Sequence, residues 1–579
     1  MASTTAESQY WPPGTLLLQE QRSNDEEIIL QPQPTDDPND PLNWAPWRKY
    51  LNFGLVCLYA LLITEFICAA TPTWDPMHDQ LGFSWAVLND SYALGCGFLG
   101  IGAVILTPFG FKFGRRPLYL ISTLVTFGVS IWSAKMQRPV DLLLVNVFSC
   151  LFGALSEVII QMTIADIFYV HQRGLSNAIF IWTVQAGSSL GPLAAGYVTV
   201  SQGWRWVWWW NTIMFGVCIV IFGLFYEETK WVGRSKRISQ HPNGSVSEVD
   251  SSSHCPMKPE MDIKGSSKGS ISSDPSRDQE QGRLLTRDTV ILNKDIPMRT
   301  WKQRLSVTAS SPGHWKIFAR HSWQPFLILG TFPAVLFVAL VYGVLIALQD
   351  AISTTMSSHM TEPPYNFTPD LIGLMNLPQF IGVTIGSLII GPLSDRFILY
   401  LARRNRGIFE PETRLWMMLP FIPLVVAGAL MFGYGIDKGF PWPVVAGGIV
   451  ICSAGIAPIN IVALTYITDS YTDVRYWLLA DQKDRSLSQF TFKTMLIRYQ
   501  ILGDSMVGIT FVRNAVSTSF IFALDPWFHA VGIQNVILSM AVIATFVLLF
   551  ALVFLKYGKV LRAFTAPKYQ EYSSKQMTS

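Results

Sequence analysis

Four ionisable side chains stand inside or at the end of long apolar stretches of this 579-residue chain: Glu65, Glu157 and Arg513 inside, and Asp469 at an end. A charge at membrane depth costs roughly 2.5–3.5 kcal/mol on insertion scales, so such a residue faces a cavity or a partner. Glu65 and Glu157 have two possible jobs. Either can carry a proton, because a buried carboxyl is readily neutralised, and either can attract a cationic solute. A third reading is structural, an ion pair of Glu65 or Glu157 with Arg513. Asn376, Gln379, Asn460, Trp182 and Gln185 offer hydrogen bonds or a stacking face, or serve as helix–helix glue. No residues have metal-ligand spacing. Six of the seven cysteines lie in apolar stretches and read as small core residues. No G-x-x-x-x-G-K-[ST] or H-E-x-x-H occurs, which excludes a nucleotide-driven pump. G-x-S-x-G occurs only within the apolar fifth stretch (Gly187–Gly191) and in the Ser-rich polar segment (Gly265–Gly269), neither a strand-to-helix turn, which leaves no catalytic set for an enzyme.

The elements that must position these groups are membrane spans. The chain is 50% hydrophobic and 14% charged, against about 25% charge in soluble domains. A span needs about 20 apolar residues, and the runs here are continuous, unlike the alternating segments of a β-barrel. Twelve helices are predicted at about 50–72, 87–109, 117–134, 141–165, 175–198, 205–226, 324–350, 370–393, 414–434, 442–468, 504–524 and 533–556. The expected fold is an all-α polytopic membrane protein of two six-helix halves, 50–227 and 323–558. A polar tail (1–49) precedes them, a tail (559–579) follows, and a Ser-rich linker (228–322) joins them. That composition predicts disorder in the linker, with an amphipathic helix or a plain tether at Ile296–Trp315. The acidic N-terminal stretch lacks a basic n-region, so no cleaved signal peptide is expected.

Charge sets orientation. Lys112, Arg115, Arg116, His171, Arg173, Arg234, Lys236, Arg237, Arg396, Arg403, Arg404, Arg406, Lys556, Lys559 and Arg562 fall on one side of a twelve-span layout. That side is expected to be cytoplasmic and to hold both termini. Asp75, Asp79, Glu362–Asp370, Phe440 and Trp442 fall on the other, and five tryptophans of 204–210 open the sixth span as an aromatic belt. Of three sequons, Asn366 is the expected glycan site. Asn243 lies in the linker and Asn89 too near the membrane.

Lys112-Phe-Gly-Arg-Arg-Pro117 resembles the loop signature G-x-x-x-D-R-x-G-R-R of the major facilitator superfamily. It keeps Gly114, Arg115 and Arg116 but has Phe111 where an acid is expected. The equivalent loop after span eight restores acid and base as Asp395-Arg396. Span five, with Gly187, Gly191, Pro192 and Gly196, is similar to the G-x-x-x-G-P-x-x-G-G signature of the drug:proton antiporter branch. Asp36–Trp44 and Arg404–Glu412 resemble segments of fungal members, among them proton-linked carriers of polyamines and histidinol-like cations. The resemblance implies a central cavity lined by spans one, four, seven and ten, alternating access, and no cofactor beyond a proton gradient. It makes Glu65, Glu157 and Gln349 or Asp350 the cavity candidates.

The expected function is proton-coupled transport of a small organic solute, exporting a drug-like compound or secondary metabolite. The alternative is proton-linked uptake of polyamine-like cations, and a sensor with little transport is a third class. Protons, solute and lipid are the expected partners, with no nucleic acid, and the protein is expected to be a monomer in the plasma membrane. Val474–Gln500 has no counterpart in the resembling proteins. Its ends, Val474-Arg-Tyr and Tyr499-Gln500, can be encoded by splice donor and acceptor sequences. A retained intron is the expectation, and a genuine loop insertion the alternative.

Overall fold

The computed structural model describes residues 16–17, 37–230, 297–305, 315–404, 408–470 and 487–577. Among them are twelve helices long and apolar enough to cross a membrane. The first half holds Pro46–Leu81, Trp85–Phe113, Arg116–Ala134, Pro139–Ile164, Leu175–Gln202 and Trp204–Phe225. The second holds Pro333–His359, Pro369–Gly391, Pro411–Asp437, Trp442–Ser470, Gly503–Val531 and Ile533–Lys568. They are numbered spans one to twelve. Local sequence explains their ends. Proline opens the helices at Pro46, Pro139, Pro333 and Pro369, where its missing N–H costs nothing. Spans five and six, and spans eleven and twelve, are joined by a single residue each, Gly203 (φ +93°) and Gly532 (φ +82°). Only glycine adopts that backbone freely.

Each half buries its own apolar core. Span eleven also places Val507 and Ile521 in the core of the first half, so it holds the halves together. A two-residue ladder pairs Leu16–Leu17 with Ile408–Phe409.

Two predicted boundaries move. Residues from 324 do not begin span seven. A separate helix, Trp315–Thr331, ends there, Phe332 is extended, and span seven starts at Pro333. Proline disfavours helical geometry in the residue before it and cannot continue the helical ladder, although hydropathy is continuous across the break. The shift carries Asp350 from the end of the predicted span to well inside the observed one, Pro333–His359. The linker also narrows. Residues 226–230 are packed, Trp301–Arg304 forms one helical turn, and 315–322 is helical. Residues 231–296 and 306–314 lie outside the described residues, as does 474–486 of the proposed insertion, while Leu487 onward runs helically into span eleven.

Candidate functional site

Among the described residues, the carboxyls of Glu65, Glu157 and Asp350 sit in three separate polar clusters within the spans, and two of these join the halves. Glu157 of span four forms an ion pair with Arg513 of span eleven, and Asn514 Nδ2 lies 3.4 Å from the second carboxylate oxygen. Both charged side chains are mostly buried. Of the pairings the sequence leaves open for Arg513, this is the one formed. Asp350 of span seven accepts hydrogen bonds from Ser517 Oγ of span eleven (2.5 Å) and Tyr92 Oη of span two (3.2 Å), so it too touches the opposite half. Half-buried Gln349 precedes it. Glu65 of span one accepts from Asn211 Nδ2 of span six at 3.1 Å. Its Oε2 is buried with no hydrogen-bond partner among the described residues.

The small residues of span five explain how close these helices come. A Cβ on Gly187 would lie 2.2 Å from Thr64 Oγ1, and one on Gly191 would lie 2.8 Å from Glu65 Cγ. These two glycines therefore seat span five directly on the acid of span one. Gly196 does a different job. A Cβ there would lie 2.4 Å from the carbonyl oxygen of Pro369, and one on Gly373 would lie 2.6 Å from that of Pro192. The far end of the signature thus closes span five against span eight of the other half, at the end of the molecule away from the linker. Pro192 lies inside the helix, where it removes a ladder hydrogen bond.

At the linker end, the loop between spans two and three supplies the missing acid from elsewhere. Glu228, just after span six, accepts from the backbone N–H groups of Arg115 (3.0 Å) and Arg116 (3.1 Å). A carboxylate at a helix N-terminus meets unpaired N–H groups and the positive end of the dipole. Gly114 makes room, since a Cβ there would lie 2.3 Å from Glu228 Oε2. Arg115 pairs with Asp166, in the helical turn just past span four, at 3.3 Å and donates to the carbonyl of Gly110, while Arg116 donates to that of Gly223. Lys230 Nζ donates to the carbonyls of Phe111 (2.6 Å) and Lys112 (2.9 Å). Burial, then the Arg115 guanidinium, pushes its pKa down to about 8, and burial pushes the Glu228 carboxyl up. In the first turn of span one, Arg48 pairs with Glu227.

Other predicted positions are not gathered into these clusters. Asn376 turns its amide onto the carbonyls of Ile372 (3.2 Å) and Gly373 (3.5 Å) of its own span. Arg396 is exposed, and the side chain of Asp395 lies outside the described residues. Asn366 is exposed in the loop before span eight, Asn89 is buried in span two, and Asn243 lies outside the described residues. Sequence reasoning missed Tyr92, Asn211, Asn514, Ser517 and Glu228. The first four are neutral and resemble ordinary helix glue. Glu228 sits where a span ends, a place any acid can occupy.

Two six-helix halves of membrane-spanning helices with polar groups meeting at their interface define a membrane transporter of the two-repeat kind. The Major Facilitator Superfamily profile matches residues 98–475, and the chain belongs to that family. It is 28% identical to an uncharacterized MFS-type transporter of Schizosaccharomyces pombe, over 97% of this chain and 94% of that one. It is 27% identical to Protein HOL1 of Saccharomyces cerevisiae (93% and 91%) and 25% identical to efflux pump radE of Floropilus chiversii (81% and 78%). Among solved structures, the proton:xylose symporter XylE superposes with a TM-score of 0.53 at 12% identity, over 88% of this chain and 97% of the symporter.

Proposed function

We propose that this protein is a proton-coupled secondary transporter that exports a small organic solute, a drug-like compound or secondary metabolite, by alternating access. The observation that carries the reading is the pair of inter-half contacts made by ionisable groups at span depth, Glu157 with Arg513 and Asp350 with Tyr92. Neutralising Glu157 removes its attraction to Arg513. A proton there favours one arrangement of the halves over the other, and a ligand shifts such an equilibrium only through its differential affinity. Glu65, held by a neutral amide, is the second proton or solute ligand. The span-five glycines and the similarity to an efflux pump support export. A second reading is uptake of an organic cation such as a polyamine. Three carboxyls against one arginine at span depth favour it.

In this proposal the proton gradient is the driving force, without a cofactor, and the protein works as a monomer. It sits in the plasma membrane with both termini cytoplasmic, and Asn366 carries a glycan on the outer face. The test is retention of a panel of drug-like compounds, and accumulation of radiolabelled spermidine, in yeast expressing the chain, with and without a protonophore. Glu65→Gln and Glu157→Gln should each abolish the protonophore-sensitive component at unchanged surface amount. Wild-type proton-driven transport in both variants would remove the site.

A further inference from the structure

A buried ionisable pair outside the transport site, at the linker end, spans two helices and meets an aromatic ring of the first half. His321, in the helix Trp315–Thr331, points Nδ1 at both carboxylate oxygens of Asp504 in span eleven, 3.2 Å from each. Their side chains are 5% and 1% exposed, so neither is a surface group. Both belong to the second half. The first half meets them through Phe111, whose ring stacks on the imidazole at 4.7 Å between centroids and 27° between planes. Phe111 is the residue standing where the loop signature has its acid. The fit is tight, since a Cβ on Gly503, next to Asp504, would lie 3.3 Å from Phe111 Cζ and 3.2 Å from Met162 Cε of span four.

We propose that Phe111, His321 and Asp504 form a proton-responsive latch between the two halves at the linker end, closed while His321 is doubly protonated and loosened when it loses that proton. An imidazolium under a phenyl face gains a cation–π attraction that a neutral imidazole lacks. Loss of the proton also strands Asp504 as a buried carboxylate without its counter-charge, an arrangement that is costly until water reaches it. Separation of Phe111 from His321 admits that water. Both effects have the same sign, so the latch weakens as pH rises.

Among the described residues, charged groups near the latch come from the neighbouring elements. Span two and the start of span three bring Lys112 and Arg115, the latter 5.8 Å from the Phe111 ring centroid and paired with Asp166. The segment after span six brings Glu228 and Lys230, which bonds the Phe111 carbonyl. Arg320 lies on the helix of His321, and residues 333–349 of span seven carry no charge. Arg115, Lys230 and Arg320 are the cations of this set, and Asp504 is the carboxylate in direct contact with the imidazole, 3.2 Å from Nδ1.

The test is the distance between spin labels at Leu175 and Tyr400, two exposed residues at the linker ends of spans five and eight. It uses the full chain carrying Cys255→Ser, in lipid nanodiscs, from pH 5.5 to 8.5. The expected result is a shift of population to a longer-distance component as pH rises. H321Q should abolish the pH dependence, and F111L should populate the longer component at every pH. A wild-type distribution that does not change with pH, or an H321Q response equal to wild type, overturns the latch. Should H321Q fail to fold, an F111L response equal to wild type overturns it instead. Glu157→Gln should retain the latch response, so loss of the transport reading and loss of the latch are separately visible.

Discussion

At the linker end, the two halves solve one problem with different charges. In each, the start of the third helix is tied to the end of the fourth by an arginine and an aspartate: Arg115 to Asp166 in the first half, Arg414 to Asp469 in the second. Each also ties that start to the end of the sixth helix, and there the polarity reverses. In the first half the sixth-helix partner is an acid, Glu228, received by backbone N–H groups. In the second it is a base, Arg562 of span twelve, received by both oxygens of Glu412 at 2.6 Å. Lys559 adds a pair with Glu410 at 2.6 Å. What the halves share is therefore a brace joining three helices. A helix N-terminus and a guanidinium are interchangeable parts of it, because each offers converging donors to a carboxylate.

The largest test of this comparison is Arg562→Met. Arg562 and Glu412 are 2% and 6% exposed, so the variant leaves a buried carboxylate unpaired, at a cost of about 3–5 kcal/mol. Thermal unfolding of the purified protein should show the loss, and the double variant Arg562→Met, Glu412→Met should recover much of it. A double variant no more stable than the single one would mean that the pair is not the unit. A smaller effect is expected for Glu228→Ala, about 1.5–3 kcal/mol, the worth of a hydrogen bond to a charged group. In this variant the Arg115 and Arg116 N–H groups can turn to water. If Glu228→Ala costs as much as Arg562→Met, the backbone version of the brace is as strong as the side-chain version. The smallest effect belongs to Lys559→Ala. Its side chain is 56% exposed, and a surface pair contributes at most about 1 kcal/mol. A larger loss of unfolding temperature would place Lys559 in the same network as Arg562.

The sequence by itself determined the spans, the two halves and the polar positions within them. Glu65, Glu157 and Arg513 stand out because a charge in an apolar run is visible without any neighbour. Gly187, Gly191 and Gly196 were legible as small residues meant for close approach, but not as serving two different partners, Glu65 and Pro369. Only the tertiary structure decided that Arg513 takes Glu157, 356 residues away. It alone put Tyr92 on Asp350, and it supplied Glu228 to the loop that carries Phe111 in place of an acid. The same holds for the start of span seven, where a helix break hides inside continuous hydropathy. Hydrophobic length and the cost of a buried charge are local sums over neighbouring residues. Partner choice depends on the rotation and tilt of helices packed from distant parts of the chain, and no local sum contains that.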